Sequence, residues 1–191
     1  MARTRHSVKA VRPACAAALC VFVLGFAAAR AADVGPIAAP TSPEDARQLG
    51  AKQLRVPVAG IARAALRDTY NERRGDARPH EALDIAAPRG TAVVAVEDGQ
   101  VMKLFTSAAG GLTIYHLDPT GDYVYYYAHL DRYADDLKAG QRLRAGQVIG
   151  YVGTTGNAPP NAPHLHFAIF RLGPEKHWWQ GTAIDPLPFL H

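Results

Sequence analysis

Cysteine is nearly absent from this 191-residue chain: there are two, Cys15 and Cys20, both close to the N-terminus. Once that segment is removed no disulfide is possible, so the remainder must hold its fold by packing alone, even in an oxidising compartment. Acidic residues are also missing from the first thirty positions, where Arg3, Arg5, Lys9 and Arg12 precede an apolar run from Ala14 to Ala29. Small residues follow at Ala27-Ala28-Ala29 and Ala31-Ala32. The pattern predicts a secretory signal peptide over residues 1–31, cleaved between Ala29 and Asp33. The run is short and alanine-rich for a membrane span, so retention as an anchor is the alternative. A lipoprotein cleavage site is disfavoured, because Leu19 is bulky and Cys20 lies in mid-run. Contact with a membrane is expected only through this segment, if it stays uncleaved.

Surplus positive charge disappears with the same segment. Five of the 21 basic residues (Arg3, Arg5, Lys9, Arg12 and Arg30) lie there and none of the 17 acidic ones, leaving 16 basic against 17 acidic. The high pI therefore belongs to the targeting signal, and nucleic acid is excluded as a partner on this ground. Repeats, heptads and long charged runs are missing too, so no second domain is expected.

What remains is strand-like. Residues 32–53 read as an alanine- and proline-rich linker with a short helical stretch from Ser42 to Gln48, and the domain is expected over 54–191. Strand candidates are Val93–Val96, Gln100–Phe105, Leu112–His116, Tyr123–Leu130, Val148–Val152 and Leu165–Phe170. Turn signals separate them at Glu97-Asp98-Gly99, Ala109-Gly110-Gly111, Asp118-Pro119-Thr120-Gly121 and Lys138-Ala139-Gly140. Within that domain, helical pattern is confined to Ile61–Arg67. The fold class expected is mainly β, an antiparallel sheet or sandwich core with one or two short helices. A faint internal echo relates the segment from Gly90 to that from Gly140, each placing a glycine turn before a Val/Ile pair.

Histidines gather in two places. His164 and His166, in Pro-His-Leu-His-Phe, are two apart and share a face if extended. Upstream, His80 and Asp84 share a face of an extended segment, with the small Ala82 between them. Imidazole and carboxylate are good zinc ligands, and His80, Asp84 and one of His164 and His166 make a three-ligand site with room for water. The other histidine and His129 are then free for proton transfer or for stabilising negative charge. Counted along an extended Tyr123–Leu130, His129 shares its face with Tyr125 and Tyr127.

His80-x-x-x-Asp84, Tyr-Ala-His129-Leu and Gly153-x-x-Gly156 followed by Pro-His164-x-His166-Phe occur in the order and spacing of the lysostaphin-type (LytM-like) zinc endopeptidases. The resemblance covers about Val56 to Phe170. It implies that His80, Asp84 and His166 ligate one zinc ion per chain and that His129 and His164 are the catalytic histidines. The fold implied is the family's duplicated β hybrid motif with a groove crossing the metal. The function implied is hydrolysis of peptidoglycan stem-peptide cross-links; with the signal segment, the chain is expected in the periplasm or beyond the cell, as a monomer. Arg73, in Asn71-Glu72-Arg73-Arg74, is carried over as a substrate contact, and Tyr125 and Tyr127, on the face of His129, are expected to be substrate contacts as well. Departures are Ala82, where the family commonly has glycine, and Ala168, where it often has glutamate.

Three other features stay outside the motif. His116 matches no ligand position and reads as a packed histidine. His177-Trp178-Trp179 reads as packing against a sheet edge, with a sugar or peptide platform as the lesser reading. Val101-Met102-Lys103-Leu104 resembles the acceptor turn of biotinyl carriers, which would leave all five motif residues unexplained. The rival functions are a catalytically inactive wall-binding regulator of another hydrolase and a zinc-binding or carrier module without hydrolysis.

Overall fold

Glycine and aspartate turns cut the apolar runs into short antiparallel strands at the positions their sequence marks. The computed structural model describes residues 40–75 and 78–191, so the expected signal segment lies outside the described residues. One helix, α1 (Pro43–Gly50), precedes the strands β1 (Arg73–Arg74), β2 (Arg78–Pro79), β3 (Leu83–Ala86), β4 (Ala92–Val94) and β5 (Gly99–Ser107). These are followed by β6 (Gly111–Leu117), β7 (Tyr123–Tyr133), β8 (Arg142–Leu143), β9 (Val148–Val152), β10 (His164–Leu172) and β11 (Gly181–Ile184). At the β6–β7 turn, Asp118 Oδ1 accepts the N–H groups of Asp122 and Tyr123, both at 2.9 Å, while Gly121 takes the φ of 76° that the reversal requires.

Nine strands form one antiparallel sheet with the path β11-β10-β7-β6-β5-β8. One edge of β10 pairs with β7, and the other is divided between β3 and β11. Strand β7 changes partner along its length, pairing with β10 up to Ala128 and with β9 from Leu130 onward. The changeover falls on His129, whose φ is 59°, and the β6–β7 register shifts there as well. This is a β-bulge, which re-aims a side chain where strict alternation would have sent it inward.

The core is the odd-numbered face of β7 and β10. Tyr123, Tyr125, Tyr127, Leu165, Phe167 and Ile169 are fully buried with Leu83, Ile114, Leu130 and Ile149. Each large side chain so buried contributes roughly 1.5–3 kcal/mol, which makes these two strands a rigid base for whatever their other face carries.

Three sequence expectations are corrected. The 32–53 segment is not a free linker throughout, because α1 within it docks on the sheet. Leu49 is fully buried, and Asp45 Oδ1 accepts hydrogen bonds from the Tyr123 hydroxyl (2.8 Å) and Arg171 Nη1 (2.6 Å). The expected helix at Ile61–Arg67 shrinks to a 3₁₀ turn at Arg63–Ala65 that buries nothing, so no packing extends it. Lys103 lies within β5 opposite Tyr115 rather than in a hairpin turn, which removes the carrier reading. Among the described residues, no helix is long and apolar enough to cross a membrane.

Candidate metal centre and active-site groove

Even-numbered residues of β10 face away from the core, and two of them are His164 and His166. Antiparallel pairing sets His166 opposite Asp84 of β3. His80 reaches the same point by a different route from the straight strand expected. The backbone reverses at Glu81, with φ 57°, and β3 begins only at Leu83. The His80 N–H donates to the Glu72 carbonyl and the Glu81 N–H to that of Tyr70, which anchors the turn.

Three ligand atoms converge. His80 Nε2 is 3.0 Å from His166 Nδ1 and 3.1 Å from Asp84 Oδ1, and His166 Nδ1 is 3.2 Å from Asp84 Oδ1. Three tetrahedral ligands held about 2.0–2.1 Å from zinc lie about 3.3 Å apart, so the triangle is close to the size the ion demands. His80, Asp84 and His166 are the group among the described residues able to hold a metal ion.

The outer hydrogen-bond partners suit a cation as well. His80 Nδ1 lies 3.0 Å from the Thr69 carbonyl and His164 Nδ1 2.8 Å from that of Ala162. A carbonyl only accepts, so the neutral tautomer that satisfies each contact has its proton on Nδ1 and its acceptor at Nε2, although Arg74 Nη2 also lies 3.3 Å from His80 Nδ1. His164 Nε2 is 3.8 Å from Asp84 Oδ1. His80 Nε2 and His164 Nε2 thus turn towards Asp84 Oδ1 with His166 Nδ1 beside them, a convergence that a bound cation would satisfy. Burial opposes the charge on Asp84, but contact with His166 and His80 outweighs it and holds the carboxyl well below its usual range. Arg74 Nη2 grips the outer oxygen, Oδ2, at 2.6 Å.

His129 completes the cluster. Its ring centroid is 5.0 Å from that of His164 and 5.6 Å from that of His166. Its Nδ1 lies 2.8 Å from the Thr155 carbonyl, which again leaves Nε2 as the acceptor. Burial pushes the imidazole down to about 4, so it is neutral at neutral pH. His166 is lowered too, by burial against the opposing pull of Asp84.

These residues line a groove of about 600 Å³ that also takes in Arg74, Arg78, Tyr126, Ala128 and Phe170. All five motif residues meet in it. The three substrate contacts carried over from sequence do not. Tyr125 and Tyr127 are fully buried on the core side, where the Tyr125 hydroxyl donates to Glu97 and that of Tyr127 accepts the Val96 N–H. Because the bulge at His129 breaks the two-residue alternation, it is Tyr126 that shares the groove. Arg73 is exposed on β1, and the groove takes Arg74 in its place. Thr69 and Thr155 were missed altogether, since they act largely through backbone carbonyls.

With this geometry in view, the comparisons are direct. Residues 78–186 match the model of Peptidase family M23, more than half of the chain. The L-Ala–D-Glu endopeptidase of Bacillus subtilis is 35% identical over 131 residues, covering 65% of this chain and 39% of that protein. The murein hydrolase activator NlpD of Salmonella dublin is 30% identical over 111 residues, 58% of this chain and 26% of that protein. The chain thus spans well under half the length of these curated relatives. Among solved structures, LytU superposes with a TM-score of 0.55 at 32% identity, covering 65% of this chain and 82% of that one. A zinc-containing peptidase from Vibrio cholerae superposes at 0.51 with 28% identity, covering 62% and 36%. An antiparallel sheet that brings His80, Asp84, His129, His164 and His166 into one groove, and a family match that spans all five, establish that this chain belongs to Peptidase family M23.

Proposed function

We propose that the chain is an exported, zinc-dependent endopeptidase that hydrolyses peptide cross-links of peptidoglycan, acting as a monomer. The observation that carries this reading is the convergence of His80 Nε2, Asp84 Oδ1 and His166 Nδ1 on one point, with His164 Nε2 beside it. His80, Asp84 and His166 would hold the ion. Zinc supplies Lewis-acid polarisation of the scissile carbonyl and brings water towards ionisation at neutral pH.

The remaining chemistry belongs to the chain. His129 and His164 each have Nδ1 tied to a carbonyl and Nε2 free, so one accepts the proton of the attacking water. The histidine that takes this proton can pass it on to the leaving amine, while the other stands beside the developing oxyanion. The groove is open enough for an extended peptide, and Tyr126 and Phe170 give it an aromatic wall. The N-terminal signal pattern supports export of this chemistry from the cytoplasm to where peptidoglycan lies.

A regulator without activity is the second reading, supported by the likeness to an activator of murein hydrolases. Intact ligand and histidine positions favour the enzyme. Purified sacculi digested with and without a zinc chelator, with released fragments read by mass spectrometry, decide between them. Chelator-sensitive loss of cross-linked peptides is expected. Wall binding with zinc retained and no release would establish the regulator. His164→Ala should keep its zinc and lose turnover by about 10²-fold or more, whereas Asp84→Ala should lose the zinc itself, as read by elemental analysis.

A further inference from the structure

Aromatic rings run unbroken from the metal-ligating corner of the groove to a shelf beyond its end. Tyr126 meets His166 edge-on at 6.0 Å, Tyr115 lies 4.8 Å from Tyr126, and Trp178 lies 4.8 Å from Tyr115. Phe105 backs Trp178 at 5.2 Å, and Trp179 stands across Trp178 at 5.3 Å. Tyr115, Tyr126, Phe170, Trp178 and Trp179 line a hollow of about 170 Å³, and Tyr126 and Phe170 line the groove as well.

Packing accounts for Trp178, wedged between Phe105 and Tyr115, but not for Trp179. That indole is 62% exposed, the largest exposure of any large hydrophobic residue among those described. Leaving so much apolar surface in water forfeits the stabilisation that burial would bring. His177 stacks parallel to it at 4.5 Å and 7°, fixing the plane of the ring and supporting one face. A flat, preset aromatic face that the fold itself does not use is a binding feature.

The chemistry of the rim selects the occupant. Gln180 supplies an amide, and the Lys103 amine lies 5.8 Å from the centre of the Trp178 ring. A pyranose ring presents apolar C–H faces to stack on indole, and hydroxyl and acetamido groups at its periphery for such a rim. The reach is suitable too. Phe170 lies four residues along β10 from His166, roughly 13 Å, a distance that about four extended peptide residues cover. A sugar on the shelf can therefore carry a short peptide whose far end lies at the histidines.

We propose that Trp178, Trp179 and the hollow beside them bind an N-acetylhexosamine unit of the glycan strand to which the substrate peptide is attached. This deepens the hydrolase reading and rests on it for the peptide in the groove, though not for the sugar. The probe is an N-acetylglucosamine tetramer, with saturation transfer to its ring protons measured by NMR on the full zinc-loaded chain. Wild type and Trp179→Phe should give transfer and Trp179→Ala should not. In parallel, Trp179→Ala should solubilise sacculi about tenfold more slowly, yet cleave cross-linked peptides stripped of glycan at the wild-type rate. No transfer in the wild type overturns the proposal, as does an equal loss on both substrates, which would make Trp179 a peptide contact. Sugar binding that depends on Trp179 in a chain inactive on every substrate would support the shelf while defeating the hydrolase reading.

Discussion

Thr69 shows how much of the centre depends on a residue with no chemistry of its own. Its carbonyl fixes the tautomer of His80 at 3.0 Å, and its hydroxyl accepts the Asp84 N–H at 2.9 Å. One buried residue thus orients two of the three candidate ligands, and such supporting partners tune metal affinity by about 10–100-fold. Thr69→Val keeps the shape and the carbonyl but strands the Asp84 N–H. Zinc affinity, measured by competition with a chromophoric chelator, should fall by about tenfold or more, and stability by about 1–3 kcal/mol. Undiminished affinity would mean that the β3 pairing alone orients Asp84. The cluster of His80, Asp84 and His166 was legible in the sequence because imidazole and carboxylate chemistry travels with the residue type. Thr69 was not, because every residue owns a carbonyl and only the fold says which one meets an imidazole.

Elements place what residues supply, and the bulge in β7 is where counting along the chain fails. Period-two reading from His129 assigns Tyr125 and Tyr127 to the groove; the positive φ at His129 inverts the assignment. Most strands were readable from alternation and turn residues, and the helix at Ser42–Gln48 was found nearly in place as α1. Its docking was not readable, since it depends on Asp45 meeting Arg171, 126 residues away. The bulge is held by a dovetail of two loops. Thr155 Oγ1 accepts the Leu112 N–H at 3.0 Å and donates to the Leu130 carbonyl at 2.7 Å, bracketing His129. Gly156, with φ 75°, lies so close to Gly110 and Gly111 that a Cβ there would strike their backbone. Gly156→Ala should therefore shift Thr155 away from His129. Turnover should fall by about 10-fold or more as misplacement grows, with zinc content unchanged and stability lower by about 1–3 kcal/mol. Loss of zinc in that variant would instead tie the dovetail to the ligands.

At the scale of the whole molecule, a domain without disulfides stakes its stability on buried groups that must keep one protonation state. Lys52 pairs with Asp118 at 2.9 Å and with Glu97 at 3.1 Å beneath the sheet, and burial resists the charge on Asp118 while its hydrogen-bond donors hold the carboxyl below its usual range. His116 is fully buried with Nδ1 3.2 Å from the Tyr127 hydroxyl, and burial pushes it down to about 4, as it does His129. The unfolded chain takes up these protons near pH 6.5, whereas the folded one resists until about 4. Stability is therefore complete above pH 6.5 and falls as the pH drops through that window, with the aspartates adding a further loss below about 3.9. Replacing His116 with phenylalanine removes one of the two imidazoles without touching the groove. Denaturant unfolding of metal-free wild type and His116→Phe, followed from pH 7 to 4, should show the gap between them shift by about 2–3 kcal/mol in favour of the variant at the acid end. Parallel profiles would mean that His116 is not held neutral in the folded state. A flatter profile that leaves the acid limb of turnover unmoved would separate the two buried imidazoles, assigning His116 to the stability of the sheet and His129 to the groove it lines.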